Sequence, residues 1–148
     1  MQLDEFIHYR HSVGNNVHHF QWCTKYRYKM FRKTKNALLC KASIEHTAKR
    51  HNIEVKEISV MPDHVHVIAQ IPPTMSQSEA MRILKGGSSY EIFRLNEKFR
   101  LRYPEGSLWS RGNFKDSVGR LTEETALDYV RNQNIMHQKS AGFSPQLA

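Results

Sequence analysis

A chain of 148 residues, 39% of them hydrophobic, can bury one core and is too short for two ordinary domains. Its 22 Lys and Arg against 14 Asp and Glu leave a formal charge of +8, which favours a polyanionic partner, most often nucleic acid. Cys23 and Cys40 make neither a disulfide framework nor a zinc quartet, and no apolar run is long enough for a bilayer span or a signal-peptide core, so the expectation is a cytoplasmic protein with no membrane partner.

Residues 1–16 and 140–148 read as flexible tails around a single domain over 17–139. The stretch VHHFQWCTKYRY, residues 17–28, alternates: Phe20, Trp22, Tyr26 and Tyr28 fall on one face, His19, Gln21, Lys25 and Arg27 on the other. That pattern predicts a strand with a packed face and a basic face. NALLCKASIEHTAKRHN follows with Ala37, Cys40, Ile44 and Ala48 at helical spacing and Asn52 as the stop. NIEVKEISV is a second strand whose apolar phase slips between Val55 and Ile58, which predicts a bulge. After the turn Met61-Pro62-Asp63, HVHVIAQI forms a third strand, closed by Pro72-Pro73.

Ser76 with Glu79 three residues on is a capping box that opens a second helix. Gly86-Gly87 is expected to interrupt that helix before SSYEIFRLNEKFRLRY resumes a basic helical pattern. SLWSRGNFKDSVG reads as the fourth strand. Gly119 is a natural hinge, and Thr122 is expected to cap a last helix, with Glu123 and Glu124 well placed for its dipole.

The order is strand, helix, strand, strand, helix, strand, helix. Its first six elements are an α+β, ferredoxin-like (RRM-like) βαββαβ sheet with both helices on one face, and a C-terminal helix is appended. One sheet face is then left for something else. An RNA-binding domain of this order would put stacking aromatics there, whereas this chain puts His64, His66 and Gln70 there.

Strand period is two, so His64 and His66 point one way and Val65 and Val67 the other. Paired imidazoles suit a divalent metal, but two ligands do not make a site, and a hydrogen-bonded histidine pair on a polar sheet face is the plainer alternative. On the last helix, ALDYVRNQNIMHQ puts Tyr129 and Gln133 four residues apart, on one face. A tyrosine hydroxyl can act as a covalent nucleophile and a glutamine carbonyl can ligate a cation; a packing tyrosine and a solvated glutamine remain the alternatives. Lys25, Arg27, Arg82, Lys85, Arg94, Lys98, Arg100 and Arg102 are candidate nucleic-acid phosphate contacts as a set, although any one of them alone reads as a solvated cation.

Five blocks, HHFQWCTKYRYK, VMPDHVHVIAQIPP, ILKGGSSYEIF, LWSRGNFKDSVG and TEETALDYVRNQ, occur in an order that resembles the single-tyrosine HUH transposases of the insertion-sequence 200/605 family (TnpA-type). HUH denotes His, a bulky apolar residue, His; here it is His64, Val65 and His66. The resemblance implies that His64, His66 and Gln133 ligate Mg²⁺ or Mn²⁺ and that Tyr129 attacks single-stranded DNA to form a 5′-phosphotyrosine. It also implies recognition of subterminal imperfect hairpins and a homodimer in which the last helix docks on the partner, although the linker length allows docking within one chain as well. No nucleotide cofactor is implied, because the phosphotyrosine keeps the energy of the phosphodiester. A domesticated palindrome-specific nuclease of the same chemistry, or a non-catalytic module binding hairpins or single strands, are the competing expectations.

Overall fold

The computed structural model describes residues 16–118 and 120–140, with side chains at all of these except 113, 116, 120–123 and 135–140. In chain order the elements are β1 (Val17–Thr24), α1 (Thr34–Arg50), β2 (Glu54–Val60), β3 (His64–Gln70), α2 (Gln77–Leu95), β4 (Trp109–Val118) and α3 (Arg120–Ser140), with 3-10 turns at Lys25–Arg27 and Glu97–Leu101. The strands form one antiparallel sheet in the order β2-β3-β1-β4. The expected tails fall mostly at 1–15 and 141–148, outside the described residues, as does the expected hinge Gly119.

Period-two alternation divides the sheet into two chemically different faces. On one, Phe20, Trp22, Ile58, Val60, Val65 and Val67 pack against Cys40, Ile44 and Ala48 of α1 and against Ala80, Leu84 and Ile92 of α2. Phe20, Trp22, Ile44 and Leu84 are fully buried, and Phe20, Ile44 and Leu84 each stabilise the fold by about 1.5–3 kcal/mol relative to exposure. On the other face a smaller cluster joins Val17, Ile68 and Val118 to Val130 of α3, flanked by Ala126 and Leu127. The third helix thus covers the face that α1 and α2 leave open, seated on its own chain's sheet.

The bulge expected in the second strand is present: the β2–β3 register shifts between Val55 and Glu57. Half of the expected capping box is present: Ser76 is the N-cap of α2, its Oγ accepting from the Glu79 N–H at 3.1 Å, while no return bond from the Glu79 carboxylate to the Ser76 N–H is found among the described residues. Asn52 takes φ 58°, the left-handed conformation that Asn tolerates well, just past the end of α1.

Three expectations are corrected. The first strand stops at Thr24 and not at Tyr28: Tyr26 and Arg27 take φ of 63° and 56°, which no ladder accommodates. Tyr26 and Tyr28 instead pack on Tyr103, at ring centroid distances of 6.5 and 5.5 Å, so their aromatic alternation reflects a turn built around Tyr103. Second, α2 runs unbroken through Gly86-Gly87. A helical glycine costs only about 1 kcal/mol against alanine, and Gly87 serves close packing, because a Cβ there would lie 2.3 Å from Thr47 Cγ2 of α1. Third, α3 begins at Arg120, which places Thr122 inside the helix and not at its cap.

Candidate active site

The polar face of the sheet gathers the imidazoles. His64 and His66 of β3 lie 5.1 Å apart between ring centroids, and Val65 and Val67 point into the core as the alternation requires. His19 of β1 joins them: its Nε2 is 3.0 Å from His66 Nδ1, and the two rings stack at 5.3 Å. Tyr129 of α3 lies over this group, its ring centroid 5.8 Å from His66 and 6.4 Å from His19, and the residue is 49% exposed. Val130, the next residue, is fully buried in the small cluster, and that contact fixes the helix face from which Tyr129 projects.

His64 and His66 each have their Nδ1 engaged. His64 Nδ1 donates to Asp63 Oδ1 at 2.8 Å. Arg27 Nε donates to the other carboxylate oxygen of Asp63 at 3.1 Å, and its Nη1 reaches Cys23 Sγ at 3.3 Å. Burial pushes the Asp63 carboxyl up, but the hydrogen bonds from His64 and Arg27 together outweigh it and hold the group below its ordinary value. His66 is 2% exposed. Burial, followed by the neighbouring His64 and His19, pushes it down to about 4, so it is neutral at physiological pH.

A neutral imidazole whose Nδ1 is held by a carboxylate or another ring is oriented to offer Nε2 to a cation, which is the usual arrangement behind a metal-ligating histidine. The tautomer of His66 that donates from Nδ1 to His19 leaves such a lone pair. The pair therefore fits a divalent metal. Among the described residues, no set of three or more His, Cys, Asp or Glu side chains is arranged to hold an ion, so further donors would have to be of another kind, such as a carboxamide, a phosphate oxygen or water. Gln133 lies one turn beyond Tyr129 and is half-buried, and the described residues show no hydrogen bond from it to either imidazole.

The candidate DNA contacts divide by what already holds them. Arg27 is committed to Asp63 and Cys23, and the Lys85 Nζ donates to the Ser110 carbonyl at 2.7 Å. Lys25, Arg100 and Arg102 lie over the rings of Tyr26, Phe93 and Tyr28 at 5.3, 4.9 and 4.1 Å. Arg82, Arg94 and Lys98 are exposed. Arg82 and Lys85 share a groove with Lys115, and Arg94 and Arg100 share another with Tyr90 and Phe93. His19 and Asp63 are the site residues that sequence reasoning missed. The signal for His19 was its place on the polar side of the first strand; Asp63 read only as a turn residue.

Known proteins share this chain's pattern. A family model described as "Transposase IS200 like" matches residues 12–133. The transposase for insertion sequence element IS200 of Salmonella typhimurium is 29% identical over 123 residues, covering 83% of this chain and 80% of that one. The ISDra2 transposase TnpA of Deinococcus radiodurans is 26% identical over 118 residues, covering 79% and 83%. Among solved structures, a Deinococcus radiodurans crystal structure assigned as a transposase aligns with TM-score 0.64 at 26% identity, over 79% of this chain and 89% of that one. A REP-associated tyrosine transposase bound to a REP hairpin aligns with TM-score 0.56 at 14% identity, over 87% and 70%, a likeness of fold. The chain belongs to the IS200-like transposase family, whose members cleave DNA and transfer its strands.

Proposed function

We propose that the chain is a metal-dependent transposase of the HUH single-tyrosine type, which cleaves and rejoins single-stranded DNA at insertion-sequence ends through a 5′-phosphotyrosine on Tyr129. The observation that carries this reading is the half-exposed Tyr129 ring lying 5.8 Å from buried, neutral His66. The antiparallel order β2-β3-β1-β4 with α3 on the second face supports a ferredoxin-like core with an appended tyrosine helix, one domain over 17–139.

His64 and His66, with Gln133, are the residues that would hold Mg²⁺ or Mn²⁺. Such a cation, when bound, withdraws charge from a non-bridging oxygen of the scissile phosphate. The chain's own residues do the rest by positioning and exclusion. The Tyr129 oxygen forms the bond to phosphorus as the bond to the 3′-oxygen breaks; the phenol gives up its proton and the departing 3′-oxygen takes one. Arg27 fixes Asp63, Asp63 orients the His64 ring, and His19 orients His66. A 3′-hydroxyl from another strand reverses the step, restoring the phenol with no net loss of phosphodiester energy.

The exposed cations Arg82, Arg94 and Lys98 fit phosphate contacts on a hairpin-bearing strand, and the hairpin-bound tyrosine transposase of similar fold favours a DNA hairpin as the substrate. A homodimer working in the cytoplasm, without nucleotide or membrane, completes the proposal. A labelled single strand containing an imperfect hairpin, incubated with Mn²⁺ and run on a denaturing gel, tests it. The native chain should give a DNA-linked band that vanishes on chelation and in Tyr129→Phe. Hairpin binding without any linked band would support the non-catalytic module instead.

A further inference from the structure

Val130 seats α3 on the sheet, and its two neighbours leave that contact in opposite directions. Successive residues of a helix are about 100° apart, so Tyr129 projects to one side of Val130 and Arg131 to the other. Tyr129 leans toward His66 and His19, on β3 and β1. Arg131 leans toward β2, along which α3 mainly packs, and its Nε donates to Glu57 Oε2 at 3.3 Å.

Glu57 is on that face because of the bulge. Val55 pairs with Ala69 and Ile58 with Val67, and all four belong to the main core or pack against it. Strict alternation would put Val55 and Ile58 on opposite faces, because they are three residues apart. The register shift between Val55 and Glu57 absorbs the extra residue, and Glu57 emerges opposite Ile68, which shares the small cluster with Val130. One pair further along the same face, Ser59 stands opposite His66. The carboxylate is thus held one row from the imidazole over which Tyr129 lies. Its side chain is 20% exposed, whereas that of Arg131 is 55% exposed and also reaches Asp128, Nη1 to Oδ1, at 3.4 Å.

A helix resting on one buried valine, with Ala126 and Leu127 only half-buried beside it, is poorly restrained against rolling about its own axis. Side chains reach about 5–6 Å from that axis, so a roll of roughly 10° moves the phenol by about 1 Å. A misplacement of that size costs up to on the order of a hundredfold in rate. We propose that Glu57 is a positioning residue for strand cleavage: by holding Arg131 it fixes the roll of α3 that sets the Tyr129 oxygen against the phosphate. The inference rests on the strand-transfer reading above and deepens it, because it gives a role to two charged side chains outside the histidine cluster.

The test measures single-turnover linkage of the full chain to a labelled single strand carrying an imperfect hairpin, at saturating Mn²⁺ and over a range of strand concentrations. Glu57→Arg and Arg131→Glu each replace attraction by repulsion, and each should lower the rate at saturating strand by about ten- to a hundredfold, the effect of a displaced nucleophile. The double variant Glu57→Arg/Arg131→Glu rebuilds the pair with its charges exchanged and should recover the rate to within about threefold of the native chain. An exposed ion pair contributes little to global stability, so thermal melts of all three variants should match the native melt closely. The two single variants change the net charge in opposite senses. If they act only through the field felt by DNA, the half-saturating strand concentration falls for Glu57→Arg and rises for Arg131→Glu while the rate at saturation stays native, and the proposal is overturned. A rate loss that the double variant does not restore also overturns it. No linkage from the native chain overturns the strand-transfer reading and this assignment with it.

Discussion

Replacing Gly87 by alanine isolates the contact that sets the spacing of α1 and α2. The added Cβ would sit 2.3 Å from Thr47 Cγ2, 2.5 Å from Thr47 Oγ1 and 3.0 Å from Thr47 Cβ. Thr47 is 1% exposed, and its Oγ1 is pinned to the Ser43 carbonyl at 2.8 Å, so a rotamer change would move one clash and break a buried hydrogen bond. The helices must separate instead, and overpacking of this sort costs about 1–3 kcal/mol, here toward the upper end. Removing a helical glycine returns about 1 kcal/mol, leaving a net destabilisation of about 2 kcal/mol. Gly86 is the control: nothing lies within 4 Å of its Cβ position, so Gly86→Ala should stabilise by about 0.4–1 kcal/mol. For a chain of this size each kcal/mol moves Tm by about 2–4 °C. Thermal melts should therefore show the two alanines shifting Tm in opposite directions, and Thr47→Ala should partly rescue Gly87→Ala. If both alanines raise Tm equally, the close approach of α1 and α2 at Gly87 is wrong.

Further outcomes follow from the site. Asp63→Asn should weaken Mn²⁺ binding by about 10–100-fold in titration calorimetry, because the His64 ring loses its anionic partner; unchanged affinity would remove Asp63 from the positioning chain. Folded His66 titrates at about 4 against an ordinary 6.5, so between those values the unfolded chain binds more protons than the folded one. Stability of the metal-free chain should then fall as pH drops from 6.5 to 4, by at most about 3 kcal/mol, and urea midpoints for His66→Gln should lack that component. Arg82→Gln and Arg94→Gln should each reduce the salt dependence of strand binding, lowering the slope of log affinity against log salt by about 0.7; a slope unmoved by both would place the phosphates elsewhere.

The candidate site was legible where the physics is local. Period-two alternation in residues 64–67 fixes the faces of His64 and His66 without tertiary information, and the apolar phase slip between Val55 and Ile58 marks the bulge that β2 contains. Legibility failed where a distant partner decides. Nothing local marks the left-handed turn at Tyr26 and Arg27, because neither is glycine and the aromatic alternation continues straight through it; only Tyr103, far along the chain, explains the turn. Gly86-Gly87 looks like a break unless Thr47 is known to press against it. Asp63 gains its role from Arg27 across the junction between β1 and β3, a pairing that neither stretch announces.

Peptide mapping of the DNA-linked species formed with Mn²⁺ tests the central claim most directly. The account predicts a nucleotide-bearing peptide in which the modified residue is Tyr129, sensitive to chelator and to replacement of His64 or His66. Attachment at Tyr26, Tyr28, Tyr90 or Tyr103, or linkage that persists in Tyr129→Phe, would contradict it.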